Sequence, residues 1–434
     1  MFQTKARATQ PKVVPSGRVD AFATIQQRAR ITNLPQDLLE IIIADLGDDV
    51  FSLKTFSVTC YSWYLAAVPH LHRAFTLEDR PLDPTRAELK PLAKLHKMNL
   101  LPFVKKLLIR SSSFEPWLLP RKLDRQTLRH FSALNNVQRL RIERFDLSKF
   151  VPGIERYFGH FAPALRSISL TISSGTPRQL LCLLALFPNL DDIEIEYYPT
   201  TKPDATANPG SEVAVPFSVP SLRGQLKLTH FPSETIFRDM ITLFGGLRFR
   251  YMDLFSVEGS RLLLDACADT LQTVRVYPAV PCSKEPPPTF RIFVLTEYAE
   301  TREGLLQEYD LSHLRSLRSL EVTASSMSQA RKDAPDLLRD IISTIQSPMF
   351  SEVILVFQRA DLYRPYYIPF EMFRQMHSKR KFRLVFCLEV SKKHRDLGLQ
   401  VMRQRVEYEL AERRLDFLES PPALTISEGN SWTG

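Results

Sequence analysis

A short apolar pattern returns along most of this chain and constrains its fold more than any other feature. From residue 104 onward, one apolar residue is followed by a second three positions later and a third two positions after that. Such recurrence is typical of solenoids built from stacked units. The pattern occurs at Val104/Leu107/Ile109, Val137/Leu140/Ile142, Leu165/Ile168/Leu170, Leu190/Ile193/Ile195, Arg223/Leu226/Leu228 (with Leu222 one residue early), Phe249/Met252/Leu254, Leu271/Val274/Val276, Leu317/Leu320/Val322, Phe350/Val353/Leu355 and a blurred Arg383/Phe386/Leu388.

Helix-like stretches separate these short strands, as at Arg178–Phe187, Ser233–Phe244, Gly259–Ala268 and Asp336–Ile345. The alternation predicts an α/β fold over 78–390 that resembles a degenerate leucine-rich-repeat solenoid, with parallel strands inside and helices outside. A doubly wound α/β domain also alternates strand and helix. We favour the solenoid because the strands are too many for one compact sheet and keep one pattern throughout. No strand is followed by a Gly-rich phosphate loop.

Two stretches interrupt the regular spacing of the apolar pattern, and both are predicted to be insertions. One lies near 199–220 and is rich in Pro, Thr, Ala and Ser. The other lies near 278–310, and it holds three consecutive prolines followed by Phe290–Val294, which predicts a loop and an extra strand. Long loops in repeat arrays are usually functional or disordered.

The end of the array is predicted to carry a capping helix within 391–419. Its apolar face would consist of Leu399, Met402, Val406, Leu410 and Phe417. Such a helix would cover the apolar core that the open end of a solenoid exposes. Residues 420–434 are polar and are predicted to be a flexible tail.

A separate helical module is predicted before the array. Leu38, Leu39, Ile42, Ile43 and Leu46 form one wide apolar stripe on a first helix, which begins near Pro35. Asp48 or Asp49 is predicted to cap a second helix, and a third would hold Trp63. So short a module cannot bury all this aliphatic surface, so a partner or a following domain is expected to cover part of it.

Residues 30–77 resemble an F-box, the module that docks onto the Skp-type adaptor of cullin–RING ubiquitin ligases. The family's elements fall on Leu34-Pro35, on the first-helix residues, on Leu53 with Phe56, and on Val58, Cys60 and Trp63. The continuation His70–Leu77 is similar to the way many fungal F-box segments lead into a first strand. The resemblance implies that the adaptor-binding residues are Leu34, Pro35, Leu38, Leu39, Ile42, Leu46, Leu53 and Trp63. An ordinary three-helix cap on a larger domain is the alternative.

Composition favours a cytoplasmic or nuclear protein. No run of about 18 apolar residues occurs, and the five cysteines are scattered without paired spacing. Residues 1–29 are predicted to be a disordered basic arm, with a mitochondrial transit segment as the weaker reading. The net charge is +9, but the charges are mixed along the chain rather than concentrated in a basic patch with aromatics. We therefore expect no nucleic-acid partner and no membrane partner.

No catalytic motif stands out, so we predict that the chain is not an enzyme and needs no cofactor or metal. Cys60 lies among apolar neighbours and is expected to pack rather than react. The Asp192, Glu194 and Glu196 carboxylates are expected to form a charged strand face rather than a metal site. The favoured function is a substrate-recognition adaptor of a Skp–cullin–F-box ubiquitin ligase. The alternatives are a ligase-independent leucine-rich-repeat scaffold and, least favoured, a basic nucleic-acid-binding protein.

The substrate site is predicted on the inner face of the sheet, because strand side chains alternate between faces. Lys106, Arg110, Arg139 and Arg141 would form a basic end that receives an acidic or phosphorylated segment. Ser167, Ser169 and Thr171 would separate it from the acidic strand at Asp192–Glu196. Aromatic anchors are predicted further along, at Tyr251, Phe255 and Tyr277. The alternative is that these charges merely keep an exposed sheet soluble.

Overall fold

The structure is a computed structural model, and its chain divides into two compact units at His72/Arg73. It describes residues 34–47, 49–78, 89–110, 125–147, 158–175, 177–197, 222–229, 234–255, 259–277, 304, 306–307, 309–323, 334–358, 370–390, 395–412, 415, 418 and 422–428. The predicted basic arm, the whole insertion near 199–220, most of the insertion near 278–310 and the extra strand at Phe290–Val294 lie outside these residues.

The helical module contains α1 (Gln36–Leu46), α2 (Val50–Ser57) and α3 (Tyr61–Leu71). Asp49 caps α2 as predicted, because its Oδ1 accepts hydrogen bonds from the backbone N–H of Phe51 at 3.1 Å and of Ser52 at 3.2 Å. The Pro35 carbonyl accepts from Leu38 and Leu39 N–H at 3.1 Å each, which begins α1. The module unit ends at His72, earlier than the predicted boundary at 77.

The module has a core of its own. Leu39 and Ile43 of α1 pack with Leu53 of α2 and Trp63 of α3. The Trp63 ring stacks on Phe56, with the ring centroids 4.6 Å apart. Burial of these side chains holds the three helices together.

The second unit is a solenoid, as predicted. Its strands form a single 12-stranded sheet in which every strand is parallel to its neighbours and the spatial order equals the chain order. That order excludes a doubly wound domain, in which the strand order reverses. The strands are β1 (Ala74–Glu78), β2 (Lys106–Arg110), β3 (Arg139–Asp146), β4 (Ser167–Ser174), β5 (Asp192–Tyr197), β6 (Gln225–Thr229), β7 (Tyr251–Phe255), β8 (Thr273–Val276), β9 (Ser319–Thr323), β10 (Glu352–Gln358), β11 (Arg383–Val390) and β12 (Ala423–Glu428).

Helices connect many of these strands, and their apolar sides share one core cluster with alternate strand residues such as Leu107 and Ile109. The long helices predicted from the sequence lie within a few residues of their expected places. Among the described residues, the helices of this unit are α4 (Leu89–Lys97), α5 (Arg125–Ser132), α6 (Pro177–Ala185), α7 (Glu234–Leu243), α8 (Ser260–Ala266), α9 (Ala334–Thr344), α10 (Phe370–Lys379) and α11 (Arg395–Ala411), with short 3₁₀ turns at Leu101–Phe103 and Gly159–Phe161.

A repeated hydrogen-bond pair joins successive units just before their strands. The Arg73 carbonyl accepts from Lys105 and Lys106 N–H at 2.8 Å each, and the Lys105 carbonyl accepts in turn from Gln138 at 2.8 Å and Arg139 at 2.9 Å. The same double acceptance recurs at later units. These bonds satisfy backbone groups at each turn and fix the register of the next strand.

The C-terminal predictions need correction. The predicted capping helix exists as α11, but it packs against β11 and β12 and so belongs to the outer helical layer. The predicted flexible tail contains β12, whose Ala423 pairs with Val385 of β11. The alternation Ala423-Leu424-Thr425-Ile426 suits a strand with one buried side. The repeating apolar pattern did not predict β12, because Pro421 stands where the first apolar residue of the pattern would be.

Candidate functional site

The candidate site is the sheet face that points away from the core, called here the open face. In β2, Leu107 and Ile109 belong to the core cluster, so Lys106, Leu108 and Arg110 project to the other side. The strand registers align the open-face residues of neighbouring strands in rows. The central row runs Leu108, Arg141, Ser169, Glu194, Lys227, Asp253, Arg275, Glu321, Ile354, Val385, Ala423.

The structure brings together the predicted basic residues at β2 and β3. Lys106 is in register with Arg139, and Arg139 is exposed. Glu143, which was not among the predicted site residues, lies beside Arg110. Its carboxylate pairs with Arg110 Nε at 2.6 Å and with Arg141 Nε at 3.2 Å. Glu143 therefore partly neutralises the basic end through Arg110 and Arg141.

An acidic strand follows after one neutral strand. Asp192, Glu194 and Glu196 of β5 are in register with Ser167, Ser169 and Thr171 of β4. Burial raises the pKa of the Asp192 carboxyl, while a hydrogen bond from Gln225 N–H at 3.2 Å acts to lower it. The predicted order of basic, hydroxyl and acidic strands is thus the order found on the open face.

Further along, one buried arginine lies among three carboxylates. Arg275 Nε donates to Glu321 Oε2 at 2.8 Å, and Arg275 Nη2 donates to Glu389 Oε1 at 2.7 Å. Its Nη1 lies 3.5 Å from Asp253 Oδ2. We call Arg275, Asp253, Glu321 and Glu389 the arginine cluster. The side chains reach from β7 to β11 and tie these strands together across the open face.

Burial and neighbouring charges act in opposite directions on the pKa values of Arg275 and Asp253. Burial would lower the pKa of Arg275, but the surrounding anionic groups raise it above its usual range, so the guanidinium stays charged. The pKa of Asp253 is raised by burial, although Arg275 and a hydrogen bond from Tyr277 act in the opposite direction. The cluster carries more carboxylates than guanidinium groups, so it is an anionic region in a weakly solvated place.

Two of the predicted aromatic anchors form hydrogen bonds with carboxylates of the chain itself. The Tyr251 hydroxyl donates to Glu321 Oε2 at 3.0 Å, and the Tyr277 hydroxyl donates to Asp253 Oδ1 at 2.8 Å. Burial raises the pKa of both phenols. Phe255 is exposed at the strand end and contacts the Tyr277 ring edge-on, with the centroids 4.7 Å apart. Tyr251 and Tyr277 therefore extend the arginine cluster, and their role as anchors for a substrate stays a prediction.

The arginine cluster was missed because its members are far apart in the chain. Arg275 and Glu389 come from β8 and β11, and no single segment shows them together. A signal was present in the register: Lys227, Asp253, Arg275 and Glu321 occupy the same strand position with alternating charge. Neighbouring opposite charges in one row favour cross-strand pairing.

The residues predicted to bind an adaptor fall into three groups by their exposure. Leu38 is 47% exposed and Ile42 is 36% exposed, and Pro35 is also exposed. Leu34 and Leu46 are half-buried against the module's core. Leu39 and Leu53 are each 1% exposed and Trp63 is 2% exposed. These three side chains pack in the module's core, and their contact with an adaptor stays a prediction.

Other large apolar side chains of the module lie at the surface. Ile41 is 63% exposed, Phe51 is 80% exposed and Val58 is 82% exposed. Tyr61, Tyr64 and Leu65 of α3 are exposed too. A three-helix module with a closed core and this much apolar surface has more apolar side chains than it can bury itself.

Within the described ranges, no group of three or more His, Cys, Asp and Glu side chains is arranged to hold a metal ion. Every helix in that part of the chain is too short or too polar to cross a membrane. Cys60 is half-buried and packs against the module's core. In the solenoid, burial raises the pKa of the Cys267 thiol to about 12.

The sequence matches no model of a known protein family and no curated protein sequence. Among solved structures it is similar to the leucine-rich repeat-containing protein LegL7 from Legionella pneumophila, at 12% sequence identity and a TM-score of 0.33. That likeness covers 70% of this chain and 98% of the other. At this level of similarity, the assignment to a leucine-rich-repeat-like solenoid rests on the chain's own strand order and register.

Proposed function

We propose that this chain is a substrate receptor of a Skp–cullin–F-box ubiquitin ligase. In this proposal the helical module binds a Skp-type adaptor, and the open face of the solenoid holds a protein to be ubiquitinated. The chain itself performs no chemistry and needs no cofactor. It acts by proximity, because a bound substrate has a raised effective concentration near the conjugating enzyme.

The surface of the helical module carries the proposal. Its core is complete with Leu39, Ile43, Leu53 and Trp63, yet Leu38 and Ile42 project from the same first helix into solvent. These two positions are one helical turn apart and share a face. An exposed apolar helix face beside further exposed apolar residues suits burial against another protein. The F-box resemblance implies adaptor contacts that include Leu38 and Ile42 of this helix.

The test is co-purification of the full chain with a Skp-type adaptor and a cullin. We expect the parent chain to bring down both. Replacing Leu38 and Ile42 together with Glu should weaken adaptor binding by about a hundredfold or more, because burying two charges in place of two apolar anchors costs several kcal/mol. The module should stay folded, since both side chains lie outside its core.

Two controls make the result specific. Met349 is an exposed apolar residue of the solenoid, so Met349→Glu should leave adaptor binding unchanged. Leu39→Ala removes a core side chain and should lower the unfolding temperature of the module, by the cavity it leaves. Equal co-purification of the parent and the Leu38→Glu/Ile42→Glu variant would overturn the adaptor assignment. A chain that binds proteins through its solenoid but never a Skp-type adaptor would instead be a ligase-independent scaffold.

A further inference from the structure

We propose that the open face between β2 and β6 binds an extended protein segment whose acidic and basic residues are segregated. The acidic stretch lies over β2 and β3, and the basic stretch lies over β5. This inference rests on the proposed function, because it describes the segment that the solenoid would select. It concerns the open face alone and makes no use of the helical module.

The first step is that the charges of the open face are separated along the solenoid. Among the described side chains of β2 and β3, the cations Lys106, Arg110, Arg139 and Arg141 outnumber the carboxylate of Glu143. On β5 and β6, the carboxylates Asp192, Glu194 and Glu196 face a single cation, Lys227. A surface arranged in this way favours a ligand of opposite polarity and disfavours one with mixed charges.

The strand between the basic and the acidic end, β4, presents small polar side chains on the open face. The open-face residues of β4 are Ser167, Ser169 and Thr171, all small, and Ser169 is buried. The Thr171 hydroxyl donates to Glu196 Oε2 at 3.3 Å, whereas no contact of Ser167 with an acidic side chain is described. Hydroxyl groups can exchange hydrogen bonds with the backbone of a segment that crosses from the basic to the acidic end.

The adjoining part of the open face is engaged in internal contacts. On β7 to β9, the arginine cluster, with Tyr251 and Tyr277, forms internal hydrogen bonds that reach Glu389 of β11. A ligand there would have to break a buried ion-pair network, which is costly. The segregated charges of β2 to β6 are therefore a more favourable place for a charged segment than β7 to β9.

The spacing sets the length of the neutral part of the ligand. Parallel strands lie about 4.8 Å apart, so β3 and β5 are separated by about 10 Å, which an extended peptide spans with about three residues. A nucleic acid would meet the basic end favourably but would be repelled by β5. A protein segment can satisfy both ends, and this decides between the two classes of partner.

The experiment uses the full chain and two labelled peptides of equal composition, followed by fluorescence anisotropy at low salt. The segregated peptide has four Glu, three Ser and four Lys in that order. The mixed peptide has the same residues with Glu and Lys alternating. We expect the segregated peptide to bind at least about tenfold more tightly, and added salt should reduce the difference.

Charge reversal on the protein tests both ends. Arg139→Glu with Arg141→Glu should weaken binding of the segregated peptide by about tenfold or more, and so should Glu194→Lys with Glu196→Lys. Combining all four substitutions restores opposite charges at the two ends, and a peptide bound in the reverse direction should recover much of the affinity. Arg139→Gln with Arg141→Gln checks the basic end without placing new carboxylates beside Glu143.

The matched control is Arg403→Glu, an exposed change on helix α11, which should leave peptide binding unchanged. Equal affinity for the two peptides would overturn the inference, and so would unaltered binding after both reversals. Adaptor co-purification with the same variants separates this failure from a failure of the proposed function, since none of these residues lies in the helical module.

Discussion

At the scale of single residues, Arg275 links carboxylates from three strands of the open face. It is 6% exposed and forms ion pairs with carboxylates from β7, β9 and β11. A buried cation is tolerated only when its partners replace the hydrogen bonds of water. The carboxylates depend equally on Arg275, because without it they would be buried beside one another.

Replacing Arg275 with Met tests this dependence. We expect the free energy of unfolding to fall by about 3–5 kcal/mol near neutral pH, since removing one partner leaves buried charges uncompensated. The guanidinium acts to lower the pKa of Asp253, so its loss raises that pKa further. A carboxyl whose pKa is higher in the folded state than in the unfolded state stabilises the fold at pH values below its unfolded-state pKa. That stabilisation is lost as the pH rises through the folded-state pKa. The deficit measured by chemical denaturation should therefore shrink as the pH is lowered toward about 5.

Two variants provide the comparison for that measurement. Arg250 is an exposed arginine just before β7, so Arg250→Met should change the free energy of unfolding by no more than about 0.5 kcal/mol. Adding Asp253→Asn and Glu321→Gln to Arg275→Met should recover part of the lost stability by removing the unpaired charges. A loss that is independent of pH, with no recovery in the triple variant, would mean that Arg275 contributes by packing alone.

Single residues also show where inference from sequence stops. Alternation along each strand correctly predicted that Lys106, Arg139 and Glu194 share one face, because the side-chain period of a strand is fixed by its backbone. It could not predict that Glu143 pairs with Arg110 and Arg141, or that Tyr251 and Tyr277 point their hydroxyls at carboxylates. Those contacts depend on side-chain rotamers and on the register between strands, and neither follows from one strand's pattern.

At the scale of elements, the start of β6 departs from the repeating unit. In most units the leading apolar residue lies three positions before the next one, as Val104 does before Leu107. Before β6 the buried residue is Leu222, four positions ahead of Leu226, and Arg223 is exposed instead. The extra length includes Gly224, whose N–H donates to the Asp191 carbonyl at 3.2 Å.

Gly224 is expected to be required at this irregular turn. An added Cβ would lie 2.5 Å from Asp192 Oδ1 and 2.6 Å from the Asp191 carbonyl oxygen. We expect Gly224→Ala to reduce the free energy of unfolding by about 1–3 kcal/mol, because backbone atoms must shift to admit the methyl group. The shift would also disturb the Asp192 carboxylate, which accepts from Gln225 N–H. Denaturant unfolding and binding of the segregated peptide would report the two effects.

The chain supplies a matched control for this change. Gly159 has no heavy atom within 4 Å of its ideal Cβ position and no left-handed backbone angle. Gly159→Ala should therefore be neutral or stabilise the fold by about 0.4–1 kcal/mol through the unfolded state. If both alanine variants unfold alike, close approach at Gly224 is not what the turn requires.

Most elements of the solenoid could be predicted from the sequence because each strand carries two buried apolar residues at a fixed spacing, such as Leu140 and Ile142. The position of Leu222 indicated from the sequence that β6 begins irregularly. The reason for that irregularity could not be predicted, because it depends on the close contacts of Gly224. β12 was predicted to be part of the tail, because a strand at the end of a sheet has a neighbour on one side only and need not carry the complete apolar pattern. Whether such an end segment forms a strand depends on its pairing with the neighbouring strand, and the spacing of apolar residues does not show that pairing.

At the scale of the whole solenoid, each strand pairs only with its neighbours in the chain. The sheet order follows the chain order from β1 to β12, so the stability of each unit depends mainly on the units next to it. The end strands are consequently the places where the array opens first. At the C-terminal end, β12 covers the edge of β11 through pairs from Val385↔Ala423 to Val390↔Glu428.

Ending the chain at residue 421 removes β12 and tests this nearest-neighbour behaviour. The truncation leaves backbone N–H and C=O groups of β11 without strand partners and exposes apolar surface beside α11, whose packing includes β12. We expect amide hydrogen exchange to become faster in β11 and α11, while β2 to β5 keep the protection of the parent chain. Hydrogen exchange read by mass spectrometry resolves these segments. Loss of protection along the entire array would show instead that the solenoid unfolds as one cooperative unit, with β12 contributing to the stability of all of it.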